Sequence, residues 1–430
     1  MNENFILSLF NVFNSFKKGE FMKENLGSRG VVILVASSII LKLLSSLYIP
    51  ILSQILTDDG LAIYTVGYDV FIFLFALTSL GFQPVITKLI AEQRAKGSND
   101  NALSILKVSK KVLFIYGGIV SFLFAILSKP LSILFNSEQS KMVFIFLSPT
   151  ILLASMLSVY RGFFQGYNDI IELSISNIIE QILNVIFSLL FAFQLMKLSI
   201  VWGSVGGTIG TTIGALGAII YIKYLFNKKY INRNEFKNTL GDSKTKKLNN
   251  KDILTNLFIS VIPFIFIASI NNSTGIIDTF TIRAFSKIDI DINTSTLKYF
   301  TTIINVPLVI ITSLGIGIFP KIIKGYVERN KEELIIQTTY CYKLTYIITI
   351  PSICGLIILS KDIFKLVFNR NFGYEILIVG SVSLIFMALS TIQNIVLQGI
   401  NKFNFIIKLG LIALIIKNKY WYNNDYLNNC

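Results

Sequence analysis

The chain has 430 residues, of which 53% are hydrophobic and 15% charged, a balance too apolar for soluble domains and suited to a polytopic membrane protein. It has no histidine and three cysteines, which excludes imidazole acid–base chemistry, histidine metal sites and a disulfide framework. A formal net charge of +15 would suggest nucleic acid in a soluble protein, but here lysine and arginine gather in loops, so the charge is read as topology and no nucleic-acid partner is expected.

Residues 1–27 contain an apolar stretch that follows Glu3 without a basic region or a small-residue cleavage site, so it is not a signal peptide. It reads as a cytoplasmic segment, either an interfacial helix or a prelude to a start at Met22. Ten apolar runs long enough to cross a hydrocarbon core of roughly 30 Å follow: 31–56, 61–86, 112–127, 142–160, 170–193, 198–226, 253–280, 299–319, 334–359 and 376–400. An incomplete eleventh, 403–416, carries Lys408. With the N-terminus in the cytoplasm, the inner side holds 24 of the 35 lysines and arginines outside these eleven runs, which predicts a multi-pass protein of the cytoplasmic membrane in that orientation.

The text near Pro84, Leu127-Ser128-Lys129, Asn136 and Gln165-Gly166 returns near Pro320, Leu359-Ser360-Lys361, Asn369 and Gln398-Gly399. The copies share an orientation, so an all-α fold of two six-helix lobes related by a parallel repeat is expected. The N-lobe covers 28–226, a basic inner loop 227–252, and the C-lobe 253–416 with four full spans and a partial fifth. Residues 417–430 form a polar tail that reads as a shortened or frame-shifted end, with an eleven-span protein as the alternative.

Charges at mid-bilayer cost roughly 2.5–3.5 kcal/mol on insertion scales, so those retained face a cavity or a partner. In the fifth run Ser174, Asn177, Glu180, Gln181, Asn184 and Ser188 recur at helical spacing, as a substrate path or as hydrogen-bonding glue. The first run offers Lys42 with Ser38, Ser45, Ser46 and Ser53. The seventh offers Asn271, Thr274, Asp278 and Thr281 with Arg283 beyond, and the second contains Asp69, either a counterion to Lys42 or a coupling carboxylate. The sixth run's glycines suit close helix packing. No nucleotide fingerprint, metal-ligand cluster or nucleophile–base pair occurs, so neither an enzyme nor a cofactor is expected.

Tyr160-Arg161-Gly162-Phe163-Phe164-Gln165-Gly166-Tyr167-Asn168, followed by Ile178-Ile179-Glu180-Gln181, resembles the stage V sporulation protein B group, as do Gly275-Ile276-Ile277-Asp278 and Pro84 to Glu92. That group lies in the polysaccharide-flippase branch of the multidrug/oligosaccharidyl-lipid/polysaccharide exporter superfamily, near the lipid II flippases. The resemblance implies alternating access that moves a lipid-linked saccharide, a cell-envelope precursor, among membrane lipids, with possible coupling to an H⁺ or Na⁺ gradient. Lys42 and Arg283 would contact the headgroup together with Asn177, Gln181 and Asn184. Asp69, Glu180 and Asp278 would be the cavity or coupling carboxylates, and Arg161, Gln165 and Gly166 an inner-loop motif. A cation-coupled antiporter for drugs or small solutes is the alternative, as is an inactive truncated membrane protein.

The charge distribution makes a direct prediction. A reporter fused within 227–252 should be labelled from the cytoplasm and one within 287–293 from outside; the reverse pattern in intact cells would invert the topology.

Overall fold

The structure, a computed structural model, describes residues 26–231, 248–286 and 288–423, with the side chains of 26–43, 46, 316, 317, 320, 324, 327 and 418–423 outside the description. Every regular element among them is helical, as a chain crossing hydrocarbon requires when no water can satisfy its backbone. In order they are α1 (Leu26–Phe75), α2 (Phe82–Ala95), α3 (Asn99–Ile126), α4 (Ser128–Leu134), α5 (Lys141–Gly166), α6 (Ile170–Leu195) and α7 (Ile200–Phe226). There follow α8 (Asn250–Phe285), α9 (Ile290–Val327), α10 (Lys331–Ile358), α11 (Ser360–Phe368), α12 (Glu375–Gly380), α13 (Ser383–Gly399) and α14 (Phe403–Asn423). Among the described residues eight helical stretches are long and apolar enough to cross a membrane, and α13 is apolar but shorter.

Several boundaries differ from those drawn by apolar runs. The first two runs, 31–56 and 61–86, are separate helices that meet without a loop in α1, at a sharp kink where Thr57 takes φ 64 and ψ 178, a conformation costly for a β-branched residue. The chain then passes through a π turn, Ala76–Leu80, into α2, so the second run extends to Ala95. The eleventh continues seven residues past Ile416 to Asn423, because a helix tolerates Lys417 where its ammonium finds a partner. The N-terminal segment up to residue 25, residues 232–247 of the basic loop and the tail beyond Asn423 lie outside the described residues.

Local chemistry sets many helix ends. Ser199, Asn249 and Asn330 cap α7, α8 and α10 by accepting from backbone N–H groups of the first turn. Asn136, Asn168, Asn369 and Asn401 take positive φ of 47°, 61°, 57° and 60° just after α4, α5, α11 and α13, where asparagine tolerates the left-handed conformation. The repeated text thus falls at equivalent places. Leu127-Ser128 and Leu359-Ser360 each end a long helix and open a short one, while Gln165-Gly166 and Gln398-Gly399 each end a helix two residues before such an asparagine.

Three apolar clusters hold the bundle. One joins α1 to α9, α10, α11 and α13 through residues such as Leu52, Leu56, Tyr299, Phe364 and Leu384. A second packs the first half of α8 onto α2, α3, α5 and α7, and a third sits between α1, α3, α5 and α7. The tightest pairing is α6 with α7. A Cβ at Gly210 would lie 2.2 Å from the Asn184 carbonyl oxygen and 2.5 Å from the Ser188 nitrogen, and one at Gly214 2.4 Å from the Glu180 carbonyl oxygen. The nearest atom to each of these glycines belongs to the α6 backbone, with Ser188 Oγ also 2.3 Å from a Cβ at Gly210, so rotating a side chain would not make room.

Gly210→Ala should therefore lower stability by about 1–3 kcal/mol, the usual cost of overpacking. Gly118, whose Cβ would meet nothing within 4 Å, supplies the control, since Gly118→Ala should be neutral or stabilising. Thermal unfolding of the detergent-solubilised proteins reads the difference; equal transitions for the two variants would mean that the helices are less closely apposed.

Candidate functional site

Where α1, α8, α9, α13 and α14 converge, polar side chains line a cavity of about 620 Å³. Asp69 comes from α1, Asn271, Asn272, Thr274 and Asp278 from α8, Lys298, Thr301 and Asn305 from α9, Ser383 from α13 and Lys417 from α14. Ile72, Lys298, Thr301 and Asn305 also line a second space of about 340 Å³, which reaches Ser45, Tyr48, Tyr64, Tyr68, Gln181 and Asn184. Gln181 and Asn184 in turn border a recess of about 110 Å³ that contains Glu180. The three spaces adjoin through these shared residues, and polar side chains recur along them from α14 to α6.

Both carboxylates of the largest space are paired. Lys298 Nζ lies 3.7 Å from Asp69 Oδ1, and Lys417 Nζ 2.6 Å from Asp278 Oδ1. Thr279 donates to Asp69 Oδ2 at 2.6 Å, and the Lys298 ammonium stands 5.4 Å over the Tyr68 ring, a cation–π arrangement. Asp69 thus has a counterion on α9, while the side chain of Lys42, its expected partner, lies outside the description. Neither lysine was singled out by sequence: Lys298 sits one residue before its apolar run and Lys417 one residue after the last. A search for charges just beyond run boundaries, with helical spacing continued through them, would have found both.

The polar stripe of α6 divides in two. Glu180, Gln181 and Asn184 border the cavities, whereas Ser174 and Ser188 are fully buried, and Asn177 is not among the residues lining these spaces. Glu180 shares its recess with Gln181 and Asn184 and also has a countercharge from α5. Arg161 Nη2 lies 2.6 Å from its Oε2, and the same guanidinium donates to Ser176 Oγ at 3.2 and 3.3 Å.

The expected inner-loop motif is helical. Arg161, Gln165 and Gly166 all belong to the last turns of α5, where close packing on α2 offsets the low helix propensity of Gly162 and Gly166. Gln165 Oε1 accepts from Gln83 at 3.1 Å and Thr87 at 3.2 Å, and a Cβ on Gly166 would lie 2.8 Å from Ile90 Cγ2. The motif is thus partly a packing seam between α5 and α2.

Arg283 is 5% exposed and is not among the residues lining these spaces. Its guanidinium donates to Asp291 Oδ1 at 2.7 Å, to Thr294 at 3.3 Å and to the Phe135 and Asn136 carbonyls at 2.8 Å each. These bonds tie α8 to α9 and to the loop after α4, which leaves little donor capacity for a ligand.

A further cluster joins the break in α1 to later helices. Asp58 accepts from Arg370 Nε and Tyr299 Oη at 3.0 and 2.5 Å, and Ser295 donates to the Asp58 carbonyl at 2.5 Å. Near the α5–α6 loop, Lys229 reaches Asp169 at 2.6 Å and Glu172 at 2.8 Å. Burial opposes the Lys229 charge, but the two carboxylates outweigh it and hold the ammonium above its usual range; burial likewise pushes the Asp169 carboxyl up.

A family model described as polysaccharide biosynthesis protein matches residues 28–325, more than half of the chain. The protein belongs to this family. It is 24% identical over 416 residues to the lipid II flippase MurJ of Bacillus subtilis (strain 168), covering 90% of this chain and 75% of that protein. With stage V sporulation protein B of the same organism it shares 21% identity over 202 residues, 47% of this chain and 39% of the relative. Among solved structures, an inward-facing multidrug resistance MATE family transporter of the MOP superfamily superposes with a TM-score of 0.69 at 16% identity, covering 88% of this chain and 87% of that one. A MOP superfamily transporter from Pyrococcus furiosus gives 0.65 at 16% identity, over 94% and 90%. These superpositions show the fold alone.

The Arg161–Glu180 pair yields a stability prediction. Glu180→Leu strands a largely buried guanidinium and should cost about 3–5 kcal/mol, whereas Arg161→Met together with Glu180→Leu should recover most of the loss. Thermal unfolding of the three proteins checks this; a double variant no more stable than the single would show that the pair is not the cause.

Proposed function

We propose that this protein is a flippase that carries a lipid-linked saccharide across the cytoplasmic membrane by alternating access. The observation that carries the proposal is the connected polar cavity, in which Lys298 and Lys417 stand among amide and hydroxyl groups. Ammonium groups suit a phosphate-bearing headgroup and amides suit sugar hydroxyls, while the apolar flanks of the helices suit a lipid tail that stays in the bilayer. The relative named as a lipid II flippase supports the same substrate class.

The functional assignment shifts among the cations. Lys298 and Lys417 take the headgroup role first given to Lys42 and Arg283; Lys42 remains a candidate on α1, and Arg283 acts as a tether. Gln181 and Asn184 remain candidate sugar contacts. The equivalent placement of Leu127-Ser128 with Leu359-Ser360, and of the four left-handed asparagines, supports two lobes of common plan, 28–226 and 253–416, connected by the basic segment 227–252. The Asp58, Arg370 and Tyr299 cluster would be the contact that closes the outer side in this conformation. The paired carboxylates Asp69 and Asp278 keep a cation-coupled antiporter as the second reading.

Reconstitution of the full chain into liposomes, with a pyrophosphate-linked lipid disaccharide in one leaflet, tests the proposal. Lys298→Gln and Lys417→Gln should each slow translocation by at least about tenfold, equivalent to roughly 1.4 kcal/mol, and Lys298→Arg should retain most of it. Undiminished rates in both glutamine variants at equal membrane abundance would remove the headgroup role and favour the antiporter.

A further inference from the structure

The cavity is charged but balanced. Two acids and two lysines line its largest space, and each acid holds one lysine: Asp69 with Lys298 across α1 and α9, and Asp278 with Lys417 across α8 and α14. A phosphate group cannot engage either ammonium fully while the carboxylate competes for the same donors. If it displaces the carboxylates, two acids remain beside an added anion in a confined space, a costly arrangement unless their charge is removed.

We infer that an anionic headgroup binds here by partner exchange: the phosphate oxygens take Lys298 and Lys417 from Asp69 and Asp278, and the released carboxylates take up protons from water. This rests on the headgroup reading above and adds to it a coupling, proton uptake linked to substrate binding. The balance is simple, since each ammonium exchanges one anionic partner for another and each carboxylate gains one proton.

The surroundings suit the exchange. Asp69 faces Lys298 of α9, Thr279 and Asp278 of α8, and Tyr64 and Tyr68 of its own helix. Asp278 faces Lys417 of α14 and Asp69 of α1. Thr279 already bonds Asp69 Oδ2, and its hydroxyl, which rotates, can also accept from a protonated acid. The Asp69 pair at 3.7 Å is the looser, so Lys298 is the first ammonium available to an incoming anion. Each lysine comes from a different helix than its acid, so the exchange redistributes contacts between α1, α8, α9 and α14.

The consequence runs against the usual effect of deleting a binding-site charge: removing an acid should strengthen anion binding. The probe is inorganic pyrophosphate, titrated calorimetrically into the detergent-solubilised full chain in two buffers of different ionisation enthalpy, so that protons taken up are counted. Wild type should bind more tightly as pH falls from 8 to 6 and take up about two more protons per pyrophosphate than the Asp69→Asn, Asp278→Asn double variant. That double variant should bind at least about tenfold more tightly than wild type at pH 8, with a flatter pH dependence after the probe's own ionisation is subtracted.

Pyrophosphate that binds wild type and both lysines' glutamine variants alike would show binding elsewhere and overturn the exchange. Pyrophosphate that binds through Lys298 and Lys417, but no more tightly in the double asparagine variant and with equal proton counts, would overturn the exchange and leave the headgroup reading standing. No pyrophosphate binding to wild type or double variant at any pH would overturn both. A double variant that unfolds is replaced by Asp69→Asn alone, for which half the proton difference is expected and equal counts again overturn the proposal.

Discussion

A charge carried to the depth of a bilayer must find an opposite charge or a dense set of hydrogen bonds, and in this chain that requirement selects which helices meet. Asp69 draws in α9 through Lys298, Asp278 draws in α14 through Lys417, and Glu180 binds α6 to α5 through Arg161. Arg283 satisfies the same requirement with one carboxylate and two carbonyls. Pairs of this kind add little net stability compared with apolar packing, because desolvation offsets much of the attraction, but a half-broken pair is expensive. They therefore specify geometry more than they strengthen it.

Different physics fixes the wall opposite. Gly210 and Gly214 bring the α7 backbone against the α6 carbonyls, a pairing that depends on van der Waals contact rather than charge. The polar side chains of α6 that border the cavities consequently sit on a stiff two-helix unit. The cavity has one side defined by close backbone packing and another by exchangeable ionic partners, so its adaptable surface lies on the α8, α9 and α14 side.

Much of the fold was legible because hydrocarbon imposes a simple rule on length and polarity. The apolar runs located nearly every long helix, and Leu359-Ser360-Lys361 revealed its counterpart around Leu127. The run boundaries were less informative, because a lysine ends an apolar run without ending a helix. Lys298 and Lys417 were missed for that reason, and both lie in the cavity. Periodicity along α6 grouped six polar residues, of which Glu180, Gln181 and Asn184 border the cavities, but one helix viewed alone cannot reveal that Arg161 of α5 supplies the countercharge. Arg283 shows the converse: a basic residue beside a conspicuous acid, Asp278, is engaged by the backbone of a distant loop, a relation that depends wholly on tertiary structure.

Asp58 and Asp69 are eleven residues apart on α1, about three helical turns, and both are engaged from one turn of α9. Ser295 and Tyr299 hold the first, and Lys298, between them in sequence, holds the second. A single helical turn is therefore fastened at once to the kinked start of the Asp58 helix and to the charged cavity. In the cycle proposed above, parting of the Asp58 contact would shift the ammonium on which Asp69 depends, and occupying the cavity would load the Asp58 contact. Under that proposal the two events would acquire a fixed order from shared mechanical support, much as an interlock prevents two doors from standing open together, without any signal having to travel between separate sites.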